Sequence, residues 1–294
     1  MLLYQICMES EEEILLLTDC HTHTEISPDS SAALSAMCRK AQELHLQAYA
    51  VTDHIELCRY YPQGYYQTQP RNEEDFFDYA SRWEQSMNQN LLAKELLSDQ
   101  LNFISGIELG EPNADFDLAK SLYQDQRLDF VIASLHELPE KLDFYFLDYQ
   151  QEDINNLLEN YFNILLEISH QDCFDILGHV TYPLRYIVGD AGIEINMLKY
   201  QDMLAECFKA VIQNHKGIEL NTSGYRQKYG KPFPDADLLK LYHDLGGKIL
   251  TLGSDAHKPE DLGGGIELGT ELAKACGFEK ICYFLRHEPH FINL

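Results

Sequence analysis

The chain has 294 residues, of which 45% are hydrophobic, and its 22 Lys and Arg against 48 Asp and Glu give a formal charge of −26. That length suits a single large core, including an α/β barrel of about 250 residues, so one domain spanning 1–294 is expected. The acidic balance excludes the basic patches that nucleic acids and anionic membranes require, and any anionic substrate would need locally supplied positive charge. The eight cysteines form no C-x-x-C pair, which reads as reduced thiols of a cytoplasmic protein. No basic leader precedes Glu9, and no apolar run approaches the ~18 residues that span a bilayer.

In chain order, residues 1–13 read as a polar lead-in and Ile14–Leu17 as a first strand ending in Thr18-Asp19-Cys20-His21-Thr22-His23. A helix is predicted over 31–45, with Ser30 or Asp29 available as its N-cap. Gln47–Val51 is the second strand, ending in Thr52-Asp53-His54. Residues 57–71, rich in tyrosine, read as a long loop that either caps a site or packs ordinary surface. A polar helix follows over 73–98, then strand Asn102–Leu109, ending in Gly106-Ile107-Glu108-Leu109-Gly110-Glu111. A helix near 114–126 precedes strand Asp129–Ser134, which leads into Leu135-His136-Glu137. Helix 151–169 precedes strand Phe174–Leu177 and Gly178-His179. Helix 195–214 precedes strand Gly217–Asn221 and Thr222-Ser223-Gly224-Tyr225-Arg226. Helix 235–245 stops at Gly246-Gly247, and strand Lys248–Leu252 runs into Gly253-Ser254-Asp255-Ala256-His257. A helix near 268–276 and a final strand Cys282–Leu285 close the chain.

Strands alternating with helices imply a parallel α/β sheet. His21 and His23, His54, Glu108, His136, His179, and Asp255 with His257 all fall at or just past a strand's C-terminal end. In a barrel those ends converge on one face, where active sites are built. His21 and His23, like Asp255 and His257, sit two residues apart, so on an extended chain their side chains point the same way about 6–7 Å apart. Histidine with carboxylate and no cysteine favours catalytic Zn, Mn or Fe over structural zinc. So many donors exceed one ion's needs, and Glu108 is the candidate bridge between ions. Asp53 and Asp19 are candidates to orient neighbouring imidazoles. His45, His170, His215, His243, His287 and His290 lie in helices or tails and read as ordinary histidines.

Taken in order, H-x-H, T-D-H, G-I-E, S-L-H, G-H and G-S-D-A-H resemble the polymerase-and-histidinol-phosphatase (PHP) family over nearly the whole chain. Chain length, G-I-E-L-G-E and G-I-E-L-N-T-S-G resemble its monofunctional histidinol-phosphatase branch. The resemblance implies a distorted (β/α)₇ TIM-like barrel with two to three divalent ions (Zn, Mn and/or Fe) at the strand ends. One ion would take His21, His23, Glu108 and Asp255, and a second Glu108, His136 and His179. A third would take His54, His257 and Asp29, unless Asp29 only caps the following helix.

Clustered cations suit phosphate-monoester hydrolysis, because they neutralise phosphate and acidify a bridging water into hydroxide. Arg185 and Arg226 follow strand ends and are candidates for binding phosphate oxygens, the alternative for each being a surface ion pair. Asp255, His257 or a water would protonate the leaving alkoxide. The expected activity is therefore that of a phosphomonoesterase, and the family resemblance implies L-histidinol phosphate as its substrate. Alternatives are a PHP phosphoesterase for another small phosphomonoester or nucleotide, an amidohydrolase-like C–N hydrolase, and non-enzymatic metal storage.

Overall fold

A computed structural model of the chain describes residues 18–58, 79–97, 101–139 and 141–294. Seven strands, β1 (Thr18–Asp19), β2 (Ala48–Glu56), β3 (Asn102–Gly110), β4 (Phe130–Ser134), β5 (Ile176–Leu177), β6 (Gly217–Asn221) and β7 (Leu250–Gly253), pair in parallel in sequence order. The first and last also meet. Cys20 N donates to Leu252 O (2.9 Å), Asp255 N donates to His21 O (2.8 Å), and Thr22 bridges Ala256 in parallel. The result is the expected distorted seven-stranded barrel, nearly closed.

Helices α1 (Leu34–Glu43), α2 (Tyr79–Leu97), α3 (Phe116–Tyr123), α4 (Ile154–Ser169), α5 (Gln201–Gln213), α6 (Ala236–Asp244) and α7 (Ile266–Ala275) alternate with the strands. Their apolar spacing makes one face of each a packing stripe, as with Leu157, Leu158, Tyr161, Phe162, Leu165 and Ile168 on α4. Carboxylates of Asp115, Asp153 and Asp235 cap the exposed backbone donors that begin α3, α4 and α6. No described helix is long and apolar enough to cross a membrane. The expected Ile14–Leu17 strand and most of the 57–71 loop lie outside the described residues.

Two differences from the sequence reading matter. First, helix 195–214 is a 3₁₀ turn (Met197–Tyr200) followed by α5, and Arg185–Asp190 forms a π-helical turn at the cavity. Second, the last strand, β8 (Lys280–Leu285), is one arm of an antiparallel hairpin completed by β9 (Glu288–Asn293). Cys282 and Phe284 of β8 join Ala48, Ala50, Ile104, Phe130, Ile132 and Ile176 in one buried cluster. The hairpin turn docks where the strands begin: Arg286 N donates to Asp129 Oδ1 (3.1 Å) and His287 N to Asp129 O (2.8 Å). It therefore plugs the N-terminal end of the barrel.

Side chains two residues apart on a strand share a face. Continuing from the plugged core, the inward positions run through Thr52 to His54 on β2 and through Gly106 to Glu108 on β3, and reach Ser134 on β4. The apolar layer thus lies one inward position below the donors of β2 and β3.

Candidate metal centre

His21 and His23, just past β1, meet Glu108 and Asp255 across the closing seam. His21 Nε2 and His23 Nε2 lie 3.1 Å apart, and Glu108 Oε2 lies 3.2 Å from the first and 3.4 Å from the second. Asp255 Oδ1 lies 3.8 Å from His21 Nε2 and 3.4 Å from His23 Nε2. Ligands about 2.0–2.1 Å from a tetrahedral zinc stand about 3.3 Å from one another, so these spacings suit one ion. Asp255 makes its turn at φ 55°, a left-handed conformation uncommon outside glycine.

The other oxygen of Glu108 faces a second set. Oε1 lies 2.8 Å from His179 Nε2 and 3.1 Å from His136 Nε2, and those nitrogens are 3.4 Å apart. Ser134 Oγ donates to the same Oε1 at 2.6 Å. A third set forms at the rim, where Asp29 Oδ2 lies 3.0 Å from His257 Nε2 and 3.7 Å from His54 Nε2. Asp29 is thus not the cap of α1, which begins at Leu34 after Ala33 with no side-chain cap.

The donor sets fit divalent cations on their own geometry. His54 Nδ1, His179 Nδ1 and His257 Nε2 are buried without a hydrogen-bond partner. His54 Nδ1 sits only 2.8 Å from Glu56 Oε1 and 3.1 Å from Glu108 Oε2, at angles that make no hydrogen bond. Nitrogen lone pairs and carboxylates crowded this way repel unless a cation stands among them. Burial pushes the His23 imidazole down to about 3, helped by neighbouring His257 and His54, so it presents a lone pair. Burial alone would raise the Glu108 carboxyl, but His21, His54 and His136 outweigh it and hold it well below the usual carboxylate range.

Of the two aspartates the sequence suggested as orienting groups, Asp53 reaches an imidazole and Asp19 does not. Asp19 accepts from Ser254 N (2.9 Å), Ser254 Oγ and Gly263 N (2.9 Å), so it ties β1 to the loop after β7 without touching an imidazole ring. Asp53 reaches His23 through Ser27, whose Oγ donates to Asp53 Oδ1 (2.9 Å) and lies 3.1 Å from His23 Nδ1. Glu219, on the inward side of β6, places Oε1 2.7 Å from His21 Nδ1. Sequence reasoning missed it, although a lone acid in the middle of a short buried strand is a readable signal.

Arg185 lines the cavity over the three sets, together with Glu56, Asp143 and Tyr182. Its guanidinium lies 5.1 Å from the Tyr186 ring, and Gln227 with its amide oxygen turned inward accepts from Nε and Nη1 at 3.3 Å each. Arg226 sits elsewhere. Its Nη2 donates to Ser254 O (2.7 Å) and its Nη1 to Gly264 O (3.0 Å), while Nη2 also lies 3.5 Å from Asp255 O. Its fork is occupied by the loop that carries Asp255 and His257. Glu56 and Glu111, also missed, flank His136, and burial together with Glu56 pushes the Glu111 carboxyl well up. His287, read as ordinary, pairs with Asp175 (3.0 Å) at the opposite, plugged end.

A model of the PHP domain matches residues 19–223. A probable histidinol-phosphatase of Thermotoga maritima is 26% identical over 90% of this chain and 94% of its own length. A probable phosphatase of Vibrio campbellii is also 26% identical, over 90% of this chain and 86% of its own. The crystal structure of histidinol phosphate phosphatase from Lactococcus lactis, complexed with zinc, L-histidinol and phosphate, matches with a TM-score of 0.73 at 23% identity, covering 94% of this chain and 99% of that one. The barrel, the strand-end donor sets and a domain match across most of the sequence converge: the chain belongs to the PHP family.

Proposed function

We propose that this PHP-family phosphoesterase hydrolyses a small phosphate monoester, and that its substrate is L-histidinol phosphate. One observation carries the reaction class: Glu108 directs one oxygen into each of two donor sets, beneath a cavity that Arg185 lines. The first ion would be held by His21, His23, Glu108 and Asp255, the second by Glu108, His136 and His179, the third by Asp29, His54 and His257. Two to three Zn, Mn or Fe ions held there would supply charge neutralisation of the phosphate and acidification of water.

The chain's own groups do the rest. Arg185 points a fixed, always-charged fork into the cavity and binds non-bridging phosphate oxygens. Ser27 and Asp53 hold the His23 ring. Arg226 binds the carbonyls of Ser254 and Gly264 and so holds the loop bearing Asp255 and His257. Asp255 Oδ1 faces His21 and His23, and His257 Nε2 faces Asp29 while its Nδ1 meets Asp255 O (3.1 Å), so both side chains would hold ions and a water is left to protonate the leaving alkoxide.

The substrate reading rests on relatives named histidinol-phosphatase and on the L-histidinol bound by the Lactococcus lactis enzyme. A different small phosphomonoester or nucleotide is the second reading, favoured by the Vibrio relative named only as a phosphatase. A C–N hydrolase of amidohydrolase type fits less well, since no lysine is among the described residues that line the cavity. Comparing kcat/KM across histidinol phosphate, glycerol phosphate, sugar phosphates and nucleoside monophosphates tests this. Histidinol phosphate should lead the panel by at least tenfold, and a nucleotide in first place would replace the substrate assignment.

A further inference from the structure

Strand β6 contributes no group to the three donor sets, yet it carries Glu219, which is fully buried. Its two oxygens meet residues of two different donor sets. Oε1 lies 2.7 Å from His21 Nδ1, while Oε2 accepts from the backbone N of His179 (2.9 Å) and from Asn221 Nδ2 (3.2 Å). A neighbouring feature of β7 belongs to the same arrangement. A Cβ on Gly253 would stand 2.2 Å from Glu219 Oε1 and 2.5 Å from His21 Cβ. Gly253 does not have a positive φ, so its conformation does not explain the glycine. The absence of a side chain is what lets Glu219 and His21 meet.

We propose that Glu219 is a positioning residue that sets the tautomer of His21, and that Gly253 is present to admit this contact. The logic rests on the metal-centre reading above. A carboxylate facing Nδ1 accepts a hydrogen bond from its N–H, so the proton stays on Nδ1 and Nε2 offers its lone pair toward His23, Glu108 and Asp255. No other described acceptor lies within hydrogen-bonding distance of His21 Nδ1. The second oxygen of Glu219 ties the same unit to the backbone of His179, so one side chain aligns a donor of the first ion with a donor of the second.

Glu219→Gln keeps the volume but turns an obligate acceptor into an amide. Its NH₂ can donate to His21 Nδ1, which drives the proton to Nε2 and removes that ligand. Gly253→Ala is chemically inert and compatible with its backbone, yet it pushes Glu219 and His21 apart. Losing such an outer hydrogen bond typically costs about 10- to 100-fold in metal affinity.

The test is competition with a metal chelator, read by metal retained per chain, on wild type, Glu219→Gln, Gly253→Ala and the double variant, with circular dichroism to verify folding. Both single variants should lose at least one ion at chelator concentrations roughly 10- to 100-fold lower than wild type. The double variant should be no worse than the weaker single, because both act on one contact. Wild-type retention by a folded Glu219→Gln would overturn the proposal. If Glu219→Gln does not fold, Gly253→Ala decides alone, and unchanged retention there overturns it equally. Wild type that binds no metal would instead reject the metal-centre reading on which the proposal stands.

Discussion

The two arginines singled out from the sequence should fail in different ways when truncated. Arg185 lines the cavity and is held at its edge by the Tyr186 ring 5.1 Å away. Arg226 spends its donors on Ser254 O (2.7 Å) and Gly264 O (3.0 Å). Removing Arg185 should delete the proposed charge-assisted bonds to phosphate, worth about 1.5–3 kcal/mol, which is roughly a 10- to 150-fold loss in kcat/KM. Because the same bonds form to bound substrate, most of that loss should appear in KM. Arg185→Lys should recover part of the charge effect but not the bidentate geometry. Arg226→Ala should lower stability by about 1–3 kcal/mol, since two backbone carbonyls lose their donor. It should also loosen the loop bearing Asp255 and His257, reducing metal retention and kcat with little change in KM. Initial-rate phosphate release at saturating metal, with metal content measured on each variant, separates the two. A raised KM in Arg226→Ala at full metal content, with Arg185→Ala unaffected, would refute the assignment of both.

Other consequences follow from single contacts. Asp29→Ala should remove one ion per chain while leaving the other sets loaded, because Asp29 faces only His54 and His257; an unchanged ion count would separate Asp29 from the centre. Phe284→Ala should cost about 3–5 kcal/mol and lower Tm, since Phe284 is 3% exposed and stacks on Phe130 at 5.2 Å. A Tm equal to wild type would contradict the hairpin's role as a barrel plug. Removing metal with a chelator should also lower Tm, because it leaves the Glu108 carboxylate and the surrounding imidazoles uncompensated; identical melting with and without metal would mean the sets are satisfied without ions.

Much of the site was legible because a parallel barrel gathers strand ends on one face. Even the two-residue strand β5, inside the expected Phe174–Leu177, could be placed by the histidine that follows it, whereas the expected Ile14–Leu17 ends just before β1. What was not legible required register or long-range contact. Glu219 could be assigned to β6, but its approach to His21 is set by barrel closure, 198 residues apart in sequence. Arg226 follows a strand end, yet a long side chain is free to turn under a loop or into a cavity, and only the carbonyls of Ser254 and Gly264 decide which. Asp29 offered both a cap and a ligand, and the start of α1 at Leu34 removes the cap. The second arm of the hairpin was hidden because β9 carries Pro289 and mostly exposed side chains, which weaken its strand signal. Its partner β8 is recognisable by its buried apolar residues.

Dependence of phosphatase activity on ions at the barrel's strand ends is read from one paired measurement. Metal content and phosphate release from histidinol phosphate are measured on the same sample as purified, after chelation, and after metal is returned, with Glu108→Gln carried in parallel. Two to three ions per chain are expected, with activity lost and regained with them, and Glu108→Gln should neither retain the full complement nor regain activity. Phosphate release that persists in metal-free protein, or in Glu108→Gln at the wild-type rate, would contradict that dependence.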